Sequence, residues 1–315
     1  MKLDKKFGVD VIIPTLNSEK TLENCLRSLS KQRFAGKLNI VVIDGGSTDR
    51  TLEIAKNFSA NIYVRKGMYG TGKNGARHYG ELVTNSPFIW CVDSDNIIVE
   101  DTALERLVEP LIIDSTINIT IPLTALDKNA SSFNNWISLN EIRKVETMAK
   151  NGIPYKDGYL LLVDMDYGLT NCALVRRTAV ESVGGYDSDV RTLGRLRNLG
   201  LSKGVIDTKS HFYHNQVDSV LQYLKKWNRR LKFFSKMSEN DLKNYFVENP
   251  QRYYEHKNLQ AGLMWEILSS PFFAVKMFYK NGDSRWLWGL VYPFLIIALS
   301  FLHPIRTLKV FKRFL

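Results

Sequence analysis

Two aspartates, Asp93 and Asp95, stand two residues apart directly after the apolar run Phe88-Ile-Trp-Cys-Val92. Such a run is typical of a buried strand, so both carboxylates are expected at the carboxyl end of that strand. Carboxylate oxygens are hard ligands that suit Mg²⁺ or Mn²⁺, and a cation held there could bridge the phosphates of a nucleotide and neutralise a leaving group. The alternative is a solvated turn or a helix cap. The position after the strand favours the metal site.

Polar residues also follow two earlier apolar runs. The first run ends in Pro14-Thr15-Leu-Asn17, and the second ends in Asp44-Gly-Gly-Ser-Thr-Asp49. In an open parallel sheet, ligands bind outside the carboxyl ends of the strands, so these residues and the aspartate pair are expected to line one cleft. Asp44 could there accept a hydrogen bond from a base or a ribose hydroxyl. The alternative is a plain strand-to-helix turn whose side chains cap the next helix.

A third feature is the glycine-rich segment Gly67-Met-Tyr-Gly-Thr-Gly-Lys-Asn-Gly75, which leads into a predicted helix. Lys73 and Arg77 bracket its end. The N-terminus of a helix together with two cations is a suitable place to bind phosphate. The alternative is a solvated basic face of that helix.

The segments that must position these residues alternate between strand and helix patterns with short connections, which indicates a parallel α/β sheet. The predicted strands are Val9–Pro14, Leu38–Ile43, Asn61–Val64, Pro87–Val92 and Ile117–Pro122. The predicted helices are Leu22–Leu29, Thr48–Phe58, a helix ending at Leu82, Thr102–Ile112 and Phe133–Ala149. Residues 150–168, rich in Gly, Asp and Tyr, are predicted to form a long loop.

Length and composition narrow the class of protein. A chain of 315 residues can bury one substantial core, and 44% hydrophobic with 24% charged residues excludes wholesale disorder. The formal net charge of +11 indicates anionic partners, which could be nucleotide phosphates, acidic lipid headgroups or nucleic acid. The three cysteines are widely spaced in apolar stretches, which predicts core residues rather than disulfides or a zinc site and favours a reducing compartment.

The character of the sequence changes after about residue 214. From Val217 to Phe234, apolar residues fall on one side of a predicted helix and cations on the other, which is typical of a basic amphipathic helix. The run Trp286–Leu302 has no charge and is followed by a cationic tail, but it is at the short limit for spanning a bilayer. We therefore predict a helical region at 216–315 that associates with a membrane as a hairpin or at the interface. The alternative for the amphipathic helix is ordinary packing on the core.

The segments VIIPTLNSEKTLENCLRSLSKQ, IVVIDGGSTDRT, GKNGARHYG and FIWCVDSDN resemble the family 2 glycosyltransferases of the GT-A fold in order, spacing and strand context. A later segment, Thr170 to Asp187, is similar to the acceptor-side segment of that family. The resemblance implies an α/β fold of GT-A type, an αβα sandwich with a mainly parallel central sheet, in residues 1–215. It also implies inverting transfer of a sugar from a nucleotide-sugar, with Mn²⁺ or Mg²⁺ as cofactor.

The resemblance assigns roles to individual residues. Asp95 is expected to ligate the metal, with Asp93 on the nucleotide side. A histidine that closes the catalytic domain completes the metal shell in some family members, and His214 matches it better than His211; the alternative is a structural histidine. The expected nucleotide-sugar-binding residues are Pro14, Thr15, Asn17, Asp44, Lys73, Arg77 and Asp93.

The sequence departs from the family after Gly184-Gly-Tyr-Asp187, where the usual acidic pair with the general base is missing. An inverting displacement needs a base for the acceptor hydroxyl unless the acceptor is already an anion. Asp187 or Asp189 could therefore be the base. Alternatively the acceptor is a lipid phosphate, held by Arg191 and Arg195.

These observations predict a glycosyltransferase at the cytoplasmic face of a membrane, with a nucleotide-sugar donor and a membrane-linked acceptor, either a polyprenyl phosphate or a lipid-linked saccharide. Two alternatives stay open: a nucleotidyltransferase, although PTLNSEK lacks the glycine-rich first loop, and an inactive sugar-nucleotide-binding or membrane scaffold protein. Nucleic acid is not an expected partner, since the cations interleave with an apolar face rather than with a reading motif.

Overall fold

The computed structural model describes residues 7–65, 72–165, 172–186 and 189–226, and beyond these only 271–272, 274–276, 278–279, 282, 284–291 and 294. Two compact units are present. The first contains Met1–Ala125 and Glu141–Asn215, and the second contains Leu126–Asn140 and Gln216–Leu315. The division after Asn215 falls where the sequence changes character, whereas residues 126–140 belong to the second unit and not to the first.

The first unit is built on one sheet with helices between its strands. Its strands are β1 (Gly8–Thr15), β2 (Lys37–Asp44), β3 (Asn61–Val64), β4 (Phe88–Cys91), β5 (Asn96–Ile98), β6 (Ile119–Ala125), β7 (Ile153–Lys156), β8 (Tyr159–Leu162), β9 (Leu174–Arg176) and β10 (Gly204–His214). Within the described parts of residues 7–198, the helices are α1 (Leu22–Ser30), α2 (Thr51–Asn57), α3 (Gly72–Leu82), α4 (Ala103–Ile113), α5 (Ser132–Ala149), α6 (Arg177–Ser182) and α7 (Asp189–Asn198).

The described strands are hydrogen-bonded in the order β3-β2-β1-β4-β9-β6-β10-β8-β7, and β5 pairs with the end of β10. The pairs β1–β2, β1–β4, β2–β3 and β6–β10 are parallel. Strand β9 runs antiparallel to β4 and β6, so the flanking strands keep one common direction. The sheet is therefore mainly parallel, as predicted, and the carboxyl ends of β1, β2, β4, β6 and β10 lie at one edge.

Each face of the sheet buries its own apolar core. In β1, Val9, Val11 and Ile13 face a core shared with α1 and α4, whereas Ile12 faces a core shared with α3, α6 and α7. This alternation follows from the two-residue period of a strand. Helix α3 packs very closely on β1, since a β-carbon at Gly80 would lie 2.5 Å from the Ile12 side chain. The result is the αβα sandwich that the sequence predicted.

One predicted loop is wrong. Residues 153–162, inside the predicted loop 150–168, form the antiparallel hairpin β7–β8. Its turn is Asp157-Gly158, with Gly158 in the left-handed region at φ +81°. Asp-Gly between apolar runs is a strong hairpin signal, which the composition of the stretch obscured. Strand β10 was also not predicted, because the polar run Asp207-Thr-Lys-Ser-His211 interrupts its apolar pattern.

The second unit has its own small aromatic core. Phe133 and Trp136, on the first turns of α5, pack with Val217, Tyr223 and Trp288. The Phe133 ring lies 5.1 Å from the Trp288 ring between centroids. The predicted amphipathic helix is described only as far as residue 226, and Trp286–Leu302 only in part. Among the residues that the structure describes, no helix combines the length and the apolar character needed to cross a bilayer.

Candidate active site

The predicted site residues follow neighbouring strands at one edge of the sheet. Strand β1 lies between β2 and β4, with Thr15 level with Asp44 in the register. Strand β4 ends two residues before Asp93. Strands are about 4.8 Å apart, so Asp44 and Asp93 lie roughly 10 Å apart across β1. The loops that follow β1 and β4 are in contact, because Ser94 Oγ is 3.0 Å from Ser18 Oγ.

Asp44 is completely buried and organises its own turn. Its Oδ1 accepts hydrogen bonds from the backbone N–H groups of Gly46 and Ser47 at 2.8 and 2.7 Å. Its Oδ2 accepts from Thr15 Oγ1 at 2.9 Å and from Ser47 Oγ. A carboxylate offers about four acceptor positions, and these four donors fill them. A contact between Asp44 and a nucleoside therefore requires a donor such as Ser47 Oγ to be exchanged for one from the ligand.

Asn17 connects the loops after β1 and β2. Its backbone N–H donates to Ser47 Oγ at 2.8 Å, and its Oδ1 accepts from the Thr48 N–H at 2.9 Å. Asn17 has φ +51°, a conformation that asparagine tolerates better than most residues. Its side chain is exposed, whereas Pro14 and Thr15 are buried. The first two strand ends thus form one hydrogen-bonded surface.

Arg77 is completely buried and holds Asp93. Its Nη2 donates to Asp93 Oδ1 at 2.6 Å, and its Nη1 donates to Tyr186 Oη at 3.1 Å. The solvated basic face considered for this part of α3 is therefore wrong for Arg77. In the described conformation the guanidinium compensates the charge of Asp93 and fixes the position of that carboxylate.

Tyr186 ties the segment before Asp187 to α3. Its backbone N–H donates to Glu81 Oε2 at 2.6 Å, and its ring is buried. Gly184 and Gly185 precede it at φ +85° and +86°, and a β-carbon at Gly185 would lie 2.9 Å from the His78 ring. Glycine is thus required there both for its backbone conformation and for the close approach.

Asp95 lies beside His214, which is the last residue of β10. His214 Nε2 is 3.5 Å from Asp95 Oδ1, and His214 Nδ1 is 3.0 Å from Glu141 Oε2. Burial by itself lowers the pKa of His214, but the carboxylates of Glu141 and Asp95 outweigh it and raise the pKa to about 10. Without a cation, the site therefore carries its own positive charge on His214. A metal ion would compete with that proton.

Asp93, Asp95 and His214 could hold one metal ion, since each offers a ligand atom and these atoms lie within 4.8 Å of one another. Two carboxylate oxygens and one imidazole nitrogen form a donor set that suits Mn²⁺, and Mg²⁺ also accepts the oxygens. The Nδ1–H of His214 donates to Glu141, which leaves Nε2 facing Asp95. The residues present therefore fit the divalent cation that the sequence predicted. His211, the other candidate, pairs instead with Glu100 at 2.8 Å.

The structure does not describe all of the residues predicted for catalysis, nucleotide-sugar binding or acceptor binding. Asp187 lies outside the described residues, as do the side chains of Lys73, Asp189 and Arg191, although the backbones of these three lie in α3 and α7. Arg195 lies in α7, where its Nη1 donates to the Val183 carbonyl at 3.3 Å.

Three contributors were missed by sequence reasoning. Glu141 lies in a helix that was predicted, but nothing in the local pattern marks it as the partner of His214. Asn96 is buried, and its Oδ1 accepts from the Asp93 N–H at 2.7 Å, which fixes the turn after β4. Tyr186 lies in the Gly184-Gly-Tyr-Asp187 motif, which does not predict its contact with Arg77. For Glu141 and Tyr186, pairing across 73 and 109 residues of sequence leaves no local signal.

A comparison with known protein families identifies the family of this chain. The glycosyl transferase family 2 matches residues 10–184. The chain belongs to that family. The matched range contains both aspartates and Arg77 and ends at Gly184, whereas Gly185, Tyr186 and His214 lie beyond it.

Curated relatives of this family 2 chain match about a third of its length. The 4,4'-diaponeurosporenoate glycosyltransferase of Staphylococcus haemolyticus is 34% identical over 106 residues, 32% of this chain and 28% of that protein. A PGL/p-HBAD biosynthesis glycosyltransferase of Mycobacterium tuberculosis is 34% identical over 100 residues, 29% of this chain and 37% of the relative. The matched segments thus span well under two thirds of these relatives.

A solved structure is similar over nearly the whole chain. It is TarS 1–349 of Staphylococcus aureus in complex with UDP, with a TM-score of 0.50 and 18% identity, covering 98% of this chain and 88% of the other. At this identity the likeness shows the fold alone, which is the GT-A type predicted from the sequence.

Proposed function

We propose that the chain is a metal-dependent, inverting glycosyltransferase that takes a sugar from a nucleoside-diphosphate sugar. The observation that carries this proposal is the cluster of Asp93, Asp95 and His214 at the edge of the sheet where β1 and β2 end. It is supported by membership of family 2. UDP-sugars are the first donors to test, because the structurally similar TarS was crystallised with UDP.

In this proposal some residues of the site bind the cation and others orient the side chains that bind it. Asp95 and His214, with Asp93, would hold Mn²⁺ or Mg²⁺, which when bound supplies charge neutralisation for the leaving diphosphate. Arg77 keeps Asp93 in place, and Glu141 keeps the His214 ring oriented. The interlocked loops of Asn17 and Ser47 offer polar groups to the nucleoside.

The acceptor side of the proposal follows from the segment after Gly185. Asp187 or Asp189 is the candidate general base for an acceptor hydroxyl. Both carboxylate oxygens of Asp164, another acidic residue of the first unit, already accept hydrogen bonds, from Arg197 at 2.8 Å and from Ser202 at 2.6 Å. We propose a membrane-linked acceptor, either a lipid-linked saccharide or a polyprenyl phosphate, used at the cytoplasmic face of a membrane.

The proposed function is tested with a panel of UDP-, GDP- and dTDP-sugars, each with Mn²⁺ or with a chelator. We expect one donor to stabilise the fold by about 2.7 kcal/mol at a concentration a hundred times its Kd, and only when Mn²⁺ is present. The same donor should be consumed, slowly by hydrolysis and faster when a lipid-linked acceptor is added. If no nucleotide-sugar stabilises the chain or is consumed, the chain is not a glycosyltransferase.

Replacing Glu141 by Gln is expected to weaken Mn²⁺ binding. The amide oxygen of glutamine can still accept the Nδ1–H of His214, but without the negative charge of a carboxylate, so the ring is held less firmly and its Nε2 is a weaker ligand. Loss of such an orienting partner typically costs about 10- to 100-fold in metal affinity. Titration calorimetry with Mn²⁺ in the presence of UDP measures the effect.

The control for this substitution is Glu146→Gln, an exposed position on the same helix. We expect Mn²⁺ affinity within about twofold of the unchanged protein, because exposed charges away from a site have small effects. Equal affinities for the Glu141 and Glu146 variants would show that Glu141 does not orient the metal ligand.

A further inference from the structure

Three aromatic side chains of the second unit are strongly exposed. Phe272 is 76%, Tyr279 82% and Phe294 69% exposed. The aliphatic side chains of Val275, Leu290 and Val291 are also exposed. Single exposed apolar residues are common on proteins, whereas exposed aromatic residues grouped in one stretch of chain call for a partner.

The exposed residues of 271–279 share one helical face. The described residues of this stretch are helical. At 100° per residue, Phe272, Val275 and Tyr279 fall within an arc of about 60°, and Lys276 lies beside them. Ala274, on the opposite side, is buried. The small residue Ala274 thus faces inward while Phe272 and Tyr279 face outward, which is the reverse of what an ordinary surface helix does.

Residues 286–291 and 294 also combine buried side chains with exposed apolar ones. Trp286 and Gly289 are buried, while Leu290, Val291 and Phe294 are exposed. Trp288 fixes the stretch to the aromatic core of the unit, where its Nε1 donates to Ser132 Oγ at 3.1 Å. The buried side chains of this stretch therefore pack on the core of the second unit, and its exposed apolar side chains lie on the surface of that unit.

Charge identifies the partner that this surface fits. Residues 216–315 contain 16 Lys and Arg against 7 Asp and Glu, so they carry +9 of the net +11 of the chain. Exposed aromatic side chains in a part of the sequence rich in cations suit the interface of a bilayer with acidic headgroups, where rings enter the headgroup region and cations meet phosphates. A protein partner of the same chemistry would have to be both acidic and apolar over the same area.

We propose that Phe272, Val275 and Tyr279, together with Leu290, Val291 and Phe294, form a docking surface for an anionic phospholipid bilayer. We call these six residues the aromatic face. The proposal deepens the proposed function by naming the surface that would bring the enzyme to a lipid-linked acceptor. It does not depend on which donor is used.

The test is co-sedimentation of the full chain with phosphatidylcholine vesicles, with and without about one third phosphatidylglycerol. We expect binding only to the anionic vesicles and a loss of affinity as salt increases. Replacing Phe272, Tyr279 and Phe294 together by Ser should reduce the partition coefficient at least about tenfold, because the rings supply much of the apolar area that enters the interface.

A matched triple variant replaces Leu82, Ile153 and Val163 by Ser. These three residues are exposed to a similar degree, and all lie in the first unit. Their loss should leave vesicle binding unchanged. Thermal unfolding of both variants with UDP and Mn²⁺ shows that fold and donor binding survive, so failure of lipid docking is distinguishable from failure of the proposed function.

Two outcomes would overturn the proposal. One is binding of the aromatic-face variant to anionic vesicles as tightly as the unchanged protein. The other is no vesicle binding by the unchanged protein while light scattering shows a dimer that the aromatic-face variant cannot form, which would make the face an interface between two copies of the chain.

Discussion

Replacing Asp95 by Asn is expected to lower kcat/KM for sugar transfer by about a thousandfold at saturating Mn²⁺. The amide keeps the shape of the side chain but loses the charge beside His214, and charge stabilisation by a bound cation is worth several kcal/mol. Steady-state turnover with the donor identified in the nucleotide-sugar panel measures the loss. Mn²⁺ titration of the same variant should show weaker binding.

Asp157→Asn is the matched control, because Asp157 is a 90% exposed aspartate paired with Lys209 at the surface. Turnover there should stay within about twofold, since exposed pairs contribute little. If the Asp95 variant retained normal turnover and normal Mn²⁺ dependence, the cation site would have to lie elsewhere.

Replacing Arg77 by Met is expected to lower the free energy of unfolding by about 3 kcal/mol or more. Methionine fills similar volume, but the substitution removes the cation that pairs with Asp93 and donates to Tyr186. Removing one partner of a buried ion pair leaves the other charge uncompensated, which typically costs about 3–5 kcal/mol. Urea unfolding followed by circular dichroism measures the change.

Arg27→Met provides the comparison, since Arg27 pairs with Glu23 on an exposed helix face. That substitution should cost less than about 1 kcal/mol. Arg77→Lys should fall between the two, because lysine restores the charge but cannot donate from a planar fork to two partners. Similar stabilities for the Arg77→Met and Arg27→Met variants would mean that the buried pair contributes nothing to the fold.

Strands β1 and β4 could be predicted because they are buried on both faces and read as nearly continuous apolar runs. Strand β3 was predicted with the bounds that it has, and the predicted β1 and β4 differ from the structure by one residue at each end. Polar residues inside a strand explain the failure at β10. Strand β10 contains Asp207, which is fully buried but paired with Arg106 at 2.6 Å, so a polar residue lies where a strand pattern requires an apolar one.

The site shows the same limit. Asp93, Asp95 and His214 could be predicted because motifs mark them. The roles of Arg77 and Glu141 depend on partners far away in sequence, so the pattern around each residue carries no information on them. Asp44 is a third case, since its position was predicted but not that three groups of its own turn and the Thr15 hydroxyl on β1 would donate to its carboxylate.

The late position of β10 in the chain has a consequence for biosynthesis. A ribosome delivers Asp93 and Asp95 well before His214, which follows 119 residues after Asp95. Synthesis proceeds at about 5–20 residues per second, so several seconds pass between the synthesis of the two aspartates and that of β10. Only then can β10 pair with β6 and place the imidazole of His214 beside the carboxylates. A prematurely terminated chain ending before Gly204 would keep the strands that carry the acids but could not assemble the complete set of cation ligands.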